Sequence, residues 1–280
     1  MYKIVKKREL NPTVTLMEVD APFVARKAEP GQFIILRVDE EGERIPLTVA
    51  DFDRKKGTVT IIFQIVGGTT ERLNHLNEGD FIQDFVGPLG EPSHTEGLKK
   101  VAVVGGGVGC AIAYPVAKKL HEQGSQVHSV VGFRNKDLVI LEEEFSAVSD
   151  VFKMMTDDGS YGEKGLVTDA LKALIEAGNE YDEVIAIGPV VMMKFVSLLT
   201  KQYGIKTVVS MNPIMIDGTG MCGCCRLTVA GKTKFACVDG PDFDGHEVDY
   251  DEILKRASTY KEFEAKEREK ACNLFKKEVR

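Results

Sequence analysis

At about Leu98 the hydrophobic period of the chain changes, and this break constrains the fold more than any other feature. Before it, from Tyr2 to about Gly97, apolar and polar residues alternate in short runs closed by turn residues: T-V-T-L-M-E-V, G-Q-F-I-I-L-R-V, G-T-V-T-I-I-F-Q-I-V and D-F-I-Q-D-F-V-G-P-L-G. Alternation sends successive side chains to opposite faces of a strand, and evenly spaced strands of this kind predict an all-β antiparallel barrel. After the break, short unbroken apolar runs are separated by helix-forming stretches. Strands covered on both faces read this way, so the second half predicts an α/β doubly wound parallel sheet. At 280 residues the chain has room for both and an appendage.

Composition narrows the classes. Hydrophobic residues make up 43% and charged residues 28%, a globular balance, and no apolar run approaches the roughly 20 residues that span a bilayer. The start, M-Y-K-I-V-K-K-R-E-L, is basic but has no apolar h-region, so the expectation is a cytoplasmic protein with no membrane association. Six cysteines in that setting read as reduced thiols and metal ligands. A net charge of -7 without a basic stripe argues against nucleic-acid binding.

Four of those cysteines, Cys222, Cys224, Cys225 and Cys237, fall in D-G-T-G-M-C-G-C-C-R and the following A-C-V-D-G-P. Asp217-x4-Cys222-x2-Cys225-x11-Cys237 has the C-x4-C-x2-C…C spacing of plant-type [2Fe–2S] sites, with aspartate at the first position. Gly218, Gly220 and Gly223 let the backbone wrap closely and aim N–H groups at sulfides. Two ligand sets compete. The all-cysteine set asks adjacent Cys224 and Cys225 to point at one small centre; the favoured set is Asp217, Cys222, Cys225 and Cys237. Zinc on the same ligands is the alternative metal, although zinc sites usually come as two C-x2-C halves. On iron, an oxygen ligand is harder than thiolate and predicts a shifted reduction potential.

Other motifs sit where elements end. Arg44-Ile45-Pro46-Leu47-Thr48 is expected at a strand end, and Gly87-Pro88-Leu89-Gly90 in a tight turn. Gly67-Gly68-Thr69-Thr70 leads into a short helix, E-R-L-N-H-L, whose N-terminus suits a pyrophosphate. In the second half V-A-V-V runs into G-G-G-V-G and then a helix, the arrangement that puts phosphate at the positive end of a dipole. Later strand ends carry Gly132-Phe133-Arg134, Asp157-Asp158-Gly159-Ser160-Tyr161-Gly162 and Gly188-Pro189 with Met192-Met193. Carboxylates at Asp157 and Asp158 lean toward NAD(H), whose ribose keeps a free 2′-hydroxyl; Asp158 reads equally as a turn cap.

In this order the motifs resemble the ferredoxin–NADP reductase superfamily, with its R-x-[YP]-[ST] and G-x-x-T flavin segments and its G-G-x-G, D-G-S-x-G and C-G-P-x-x-M nucleotide segments. The resemblance implies that Arg44 pairs with a flavin phosphate. It places Pro46, Leu47 and Thr48 along the isoalloxazine of FAD, with Thr48 near N5 at the point of hydride exchange. Gly68, Thr69 and Thr70 would take the diphosphate, and Ile65 and Val66 the ribityl chain. Gly106, Gly107, Gly109, Arg134, Asp158, Gly159, Ser160, Gly188, Pro189 and Met192 would take NAD(H). Ile187 stands where the superfamily often has a cysteine. The usual A-P is broken up as C-A-I-A-Y-P, leaving Cys110 beside the loop, where it reads as a small packed residue.

The tail M-x-[CD]-G-x-G-x-C-x-x-C…C-x-D-G-P-x-F narrows the resemblance to electron-transfer subunits of class 1B dihydroorotate dehydrogenases. With aspartate at 217 it is more similar to small subunits of NADH-dependent reduced ferredoxin:NADP oxidoreductases. That likeness implies a heterodimer with a larger flavo-iron–sulfur subunit, through which ferredoxin and NADP are met. The expected units are a flavin barrel at 1–97, an NAD(H) lobe at 98–210, a cluster segment at 211–245 and a helical arm at 246–280 that docks a partner or lies in solvent. Hydride transfer needs orientation more than acid–base groups. The five histidines therefore read as surface residues or caps, and Cys272 as inert. The readings from other classes are a flavin- and metal-binding protein without turnover and a self-standing oxygenase-type reductase.

Overall fold

The computed structural model describes residues 1–259 together with Phe263 and Lys266. The first part is one antiparallel sheet of β1 (Tyr2–Asn11), β2 (Val14–Asp20), β3 (Phe33–Arg37), β4 (Ile45–Asp53), β5 (Thr58–Gln64), β6 (Phe81–Ile82) and β7 (Asp84–Leu89), with α1 (Pro22–Lys27) and α2 (Gly68–His75) between strands. The strand order β6-β1-β2-β5-β4-β3-β7 ends on two strands adjacent in the chain, so the sheet curls into a nearly closed barrel. Val59, Ile61 and Phe63 of β5 point inward to its core with Met17, Val19 and Val49.

The outward side chains are not all polar. Val14, Leu16, Ala50 and Ile62 are also buried, in a second core shared with the lobe that follows. Each large one sealed there contributes about 1.5–3 kcal/mol. The barrel is thus held by its outer wall.

That lobe comprises β8 (Lys100–Gly106), α3 (Cys110–Glu122), β9 (Gln126–Phe133), α4 (Glu142–Ala147), β10 (Val151–Thr156), β11 (Glu163–Lys164), α5 (Val167–Glu176), β12 (Glu183–Ile187), α6 (Val190–Gln202) and β13 (Thr207–Ser210). The five long strands are parallel in the order β10-β9-β8-β12-β13, so the topology reverses between β8 and β12. Every residue of β12 is buried, its apolar run Val184–Ile187 and the leading Glu183 alike.

The last part is a hairpin, β14 (Arg226–Val229) and β15 (Lys232–Phe235), a short α7 (Ala236–Asp239), β16 (Asp242–Asp244) and α8 (Tyr250–Ser258). It is not a free appendage: β16 adds antiparallel to β13 at the edge of the sheet. Leu227, Ala236 and Phe243 enter the same core as Ala102, Val104 and Val196.

The structure revises four local expectations. Gly87 to Leu89 lie in β7, and the turn begins only at Gly90, φ +76°. Arg44 precedes β4 instead of ending a strand, and Pro46 and Thr48 lie inside β4. Pro46 is tolerated because β4 pairs with β5 only from Val49 onward, so this stretch has an open edge. His128 is not at the surface. It lies buried on β9 with Nδ1 2.8 Å from the Tyr181 hydroxyl, and burial lowers its basicity. Part of the expected arm packs as α8 against α6, whereas Cys272 lies outside the described residues.

Candidate active site

A cleft of about 970 Å³ opens where the topology of the parallel sheet reverses. Its floor is the glycine loop Gly106–Gly109 and the β12 end Ile187-Gly188-Pro189. Glycine is required here by contact: a Cβ on Gly109 would lie 2.6 Å from both Gly188 Cα and Ile187 O, and one on Gly188 3.1 Å from Gly106 Cα. Gly107 has φ +54° and open space around it, so its backbone faces the cleft. The 13-residue helix α3 begins at once after this loop, directing its free N–H groups to the same place. An apolar-floored cleft with a dipole and open amides at one end fits a dinucleotide.

Of the residues expected to hold NAD(H), Gly106, Gly107, Gly109, Arg134, Gly188, Pro189 and Met192 line the cleft. Asp158, Gly159 and Ser160 do not, and Asp157 lines it instead. The Asp158 carboxylate is committed to a turn, accepting from the Ser160 hydroxyl at 2.6 Å and its N–H at 2.9 Å, which hold it below the usual carboxylate range. The Ser160 hydroxyl in turn accepts from Lys136 N at 2.8 Å, tying two loops together. Thr13, in the turn between β1 and β2, and Gln64, at the end of β5, complete the wall. Spacing did not reveal them, because nothing in an alternating strand says which end meets the next lobe. Cys110 is fully buried, and burial raises its thiol far above the ordinary range; it is a packing residue beside Gly105.

On the barrel, Ile45, Pro46, Leu47 and Thr48 form a half-buried strip on the open edge of β4. Val66 is 60% exposed beside the start of α2. Thr70 departs from expectation. Its hydroxyl accepts from the N–H groups of Val66 and Gly67 and donates to Gly67 O, each at 3.0 Å, so it builds the turn and is not free for a ligand. The Thr69 hydroxyl donates to Glu43 at 3.3 Å. The donors left are the first N–H groups of α2. Arg44 Nε donates to Ile216 O at 2.9 Å; the rest of its five-donor fork remains for an anion. A flat apolar strip running to a helix N-terminus and an arginine fits a flavin dinucleotide.

The four proposed metal ligands are grouped in two pairs. Asp217 accepts from Thr219 N at 3.0 Å and Cys222 N at 2.8 Å, and these donors, Thr219 first, hold its carboxyl below the usual range. Cys225 and Cys237, both buried, have sulfurs 3.2 Å apart. Burial, with the Cys225 thiol adding to it, pushes Cys237 up to about 12. The exposed Cys222 thiol is lowered, chiefly by the Cys224 N–H. Among the described residues no three such side chains converge on one metal-binding point. Two pairs nevertheless suit a centre with two irons, each taking two protein donors. A buried thiol with a raised pKa, as at Cys237, is what a metal deprotonates on binding. Cys224 Sγ lies 4.0 Å from Cys222 O.

A flavin-type barrel, a doubly wound lobe and a cysteine hairpin on its edge define a ferredoxin-reductase-like oxidoreductase with an iron–sulfur tail. Family models agree: residues 103–198 match the oxidoreductase NAD-binding domain, and residues 212–249 the iron–sulfur cluster binding domain of dihydroorotate dehydrogenase B. A Clostridium beijerinckii protein described as uncharacterised, in the adh 3′ region, is 56% identical over 274 residues, covering 95% of this chain and 93% of its own. The Thermotoga maritima homolog of the dihydroorotate dehydrogenase B (NAD(+)) electron transfer subunit is 50% identical, covering 94% and 93%. A solved chain from work on flavin-based electron bifurcation in the NADH-dependent reduced ferredoxin-NADP oxidoreductase superposes with a TM-score of 0.91 at 48% identity, covering 96% and 97%. The chain belongs to the family of dihydroorotate dehydrogenase B-type electron transfer subunits. Among the described residues no helix is long and apolar enough to cross a membrane.

Proposed function

We propose that the chain is the NAD(H)-linked, FAD- and [2Fe–2S]-bearing electron-transfer subunit of an electron-bifurcating NADH-dependent ferredoxin:NADP oxidoreductase. The observation that carries this reading is Asp217, a carboxylate at the first ligand position, in a chain alike end to end to one from that oxidoreductase. By the resemblance, a subunit serving dihydroorotate oxidation would carry cysteine at this place. The second reading, an electron-transfer subunit serving dihydroorotate oxidation, is favoured by the name of the 50% identical Thermotoga relative.

FAD, when bound, supplies hydride exchange with the nicotinamide and single-electron delivery to the cluster. Everything else falls to this chain's side chains. Pro46, Leu47 and Thr48 present a flat half-buried edge for the ring, with the Thr48 hydroxyl the hydrogen-bonding group of the strip. Ile65 and Val66 flank the linking chain, and the N–H groups of Gly68, Thr69 and Thr70 with the Arg44 fork receive the diphosphate. Gly106, Gly107 and Gly109 admit the nicotinamide dinucleotide backbone to α3, while Gly188, Pro189 and Met192 close the floor. Arg134 and Asp157 stand at the strand ends that meet the ribose, Asp157 disfavouring a 2′-phosphate; Asp158, Gly159 and Ser160 shape that loop. Asp217 and Cys222 hold one iron and Cys225 and Cys237 the other. Around this loop Met221 is 89% exposed, Ile216 44%, Val86 43% and Val238 41%, an apolar rim that suits a larger flavo-iron–sulfur partner.

The test is anaerobic purification from the native source, with identification of the co-purifying subunit and EPR of the reduced cluster in the parent, Asp217→Cys and Asp217→Ala. The expected result is a flavo-iron–sulfur partner, a retained cluster in the Cys variant and a lost or labile one in the Ala variant. Cluster loss in Cys224→Ser with no effect at Asp217 would overturn the ligand set.

A further inference from the structure

The loop that carries Cys222 and Cys225 is held from outside by α8. From Gly223 to Arg226 each of its carbonyls is engaged. Gly223 O accepts from Arg226 Nη1 at 3.1 Å and Cys225 O from Ala236 N at 3.1 Å. Cys224 O accepts from Arg256 Nη2 at 2.8 Å, and Arg226 O from Arg256 Nη1. No carbonyl between Gly223 and Arg226 is left to point at the sulfurs, where its negative end would oppose an anionic centre.

Arg256 is itself anchored. Asp249 caps α8 by accepting from Glu252 N at 3.0 Å, and Glu252 accepts from Thr228 N at 3.0 Å. Asp249 N donates to Thr228 O at 2.9 Å. On the other side Lys194 of α6 reaches Asp251 at 2.7 Å, and Ser197 of α6 meets the Tyr250 hydroxyl at 2.8 Å. One guanidinium on a rigid, twice-tethered helix therefore spans two carbonyls of the cysteine loop, and Arg226 adds a second fixed cation.

We infer that Arg256 is a positioning residue for the iron–sulfur loop, clamping the Cys224 and Arg226 carbonyls outward so that the loop keeps one conformation and a fixed positive charge beside it. This rests on the cluster reading above. A guanidinium fork is what the task needs: two donors at fixed spacing and a charge that is never lost. Outer groups of this kind typically change metal retention by about 10- to 100-fold when removed. Because reduction adds negative charge, the fixed cation also favours the reduced cluster.

The test uses the full chain, purified and reconstituted without oxygen, as parent, Arg256→Gln and Arg256→Lys. Iron transfer to a chelator is timed, the cluster potential is measured by EPR-monitored titration, and flavin content is recorded alongside. Arg256→Gln is expected to release iron at least about tenfold faster with a lowered potential and unchanged flavin content. Arg256→Lys is expected to release iron as fast while keeping the parent potential, since it retains the charge and loses the fork. Parent-like release and potential in Arg256→Gln overturn the inference, as does flavin loss in step with iron, which marks general unfolding. A parent chain that holds flavin but takes up no iron overturns the cluster reading itself, and the inference with it.

Discussion

Gly109 offers a sharp test of how the cleft is built. Gly109 caps the start of α3 with a right-handed backbone, φ -59° and ψ -20°, so alanine meets no backbone strain there. The obstacle is space alone. The added methyl would sit 2.6 Å from Gly188 Cα and Ile187 O, both backbone, and must open that gap by about 0.8 Å to reach ordinary 3.4 Å contact. Overpacking of this kind costs about 1–3 kcal/mol, and Gly109→Ala is less stable by that amount. The displacement falls between the glycine loop and the β12 end, the two halves of the cleft floor. The NADH Kd, followed by fluorescence titration, is therefore expected to rise at least about tenfold, equivalent to 1.4 kcal/mol. Gly124→Ala is the control. Gly124 follows α3 with φ +85° and nothing within 4 Å, so alanine costs about 1 kcal/mol of backbone strain and leaves the cleft untouched. Both variants should lose comparable stability in urea unfolding, and only Gly109→Ala should lose NADH. An NADH Kd in Gly109→Ala within twofold of the parent would refute the assignment of the cleft floor.

Two further predictions concern carboxylates. Asp157→Ser should raise kcat/KM for NADPH relative to NADH by about tenfold, whereas Asp158→Ser should leave that ratio alone and loosen the Ser160 turn; the reverse order would show that the ribose sits at Asp158. Asp182 accepts from Lys100 N at 2.8 Å and Lys99 N at 2.7 Å, and these bonds, Lys100 first, hold its carboxyl below the usual range. A depressed folded value means its contribution is full above the unfolded carboxylate pKa of about 3.9 and disappears as pH falls through the lower folded value. Asp182→Ala should thus lose about 0.5–1 kcal/mol at pH 7, the exposed site being partly screened, and converge on the parent as pH falls through that lowered value. A deficit that persists unchanged in strong acid would place the effect elsewhere than in that charge.

Much of the architecture was legible in the chain. The break at Leu98 separates barrel from parallel sheet because alternation and unbroken apolar runs are local consequences of one-sided and two-sided burial. The glycine loop, the G-P after β12 and the cysteine spacing are local too, since each is a short backbone geometry written in adjacent residues. The pairs chosen by the fold are another matter. Asp157 and Asp158 are neighbours with the same side chain, and only the packing of the β10 end turns one to the cleft and the other into a turn with Ser160. Thr70 has a hydroxyl at a helix start, and only the closure of the loop from Val66 spends it on backbone.

What the sequence by itself determined, then, is the set of elements and the chemical types at their ends: a barrel, a doubly wound lobe, glycines before helices, and three sulfurs with a carboxylate in ferredoxin-like order. What only the tertiary structure decided is which of those groups meet. The outer barrel wall becomes core because α3 covers it, Cys225 comes beside Cys237 because the hairpin folds, and Arg256 reaches the cysteine loop from 32 residues away because α8 is held on α6. Periodicity and spacing encode interactions a few residues long, whereas these contacts form only when distant segments have been brought together by the burial of the cores between them.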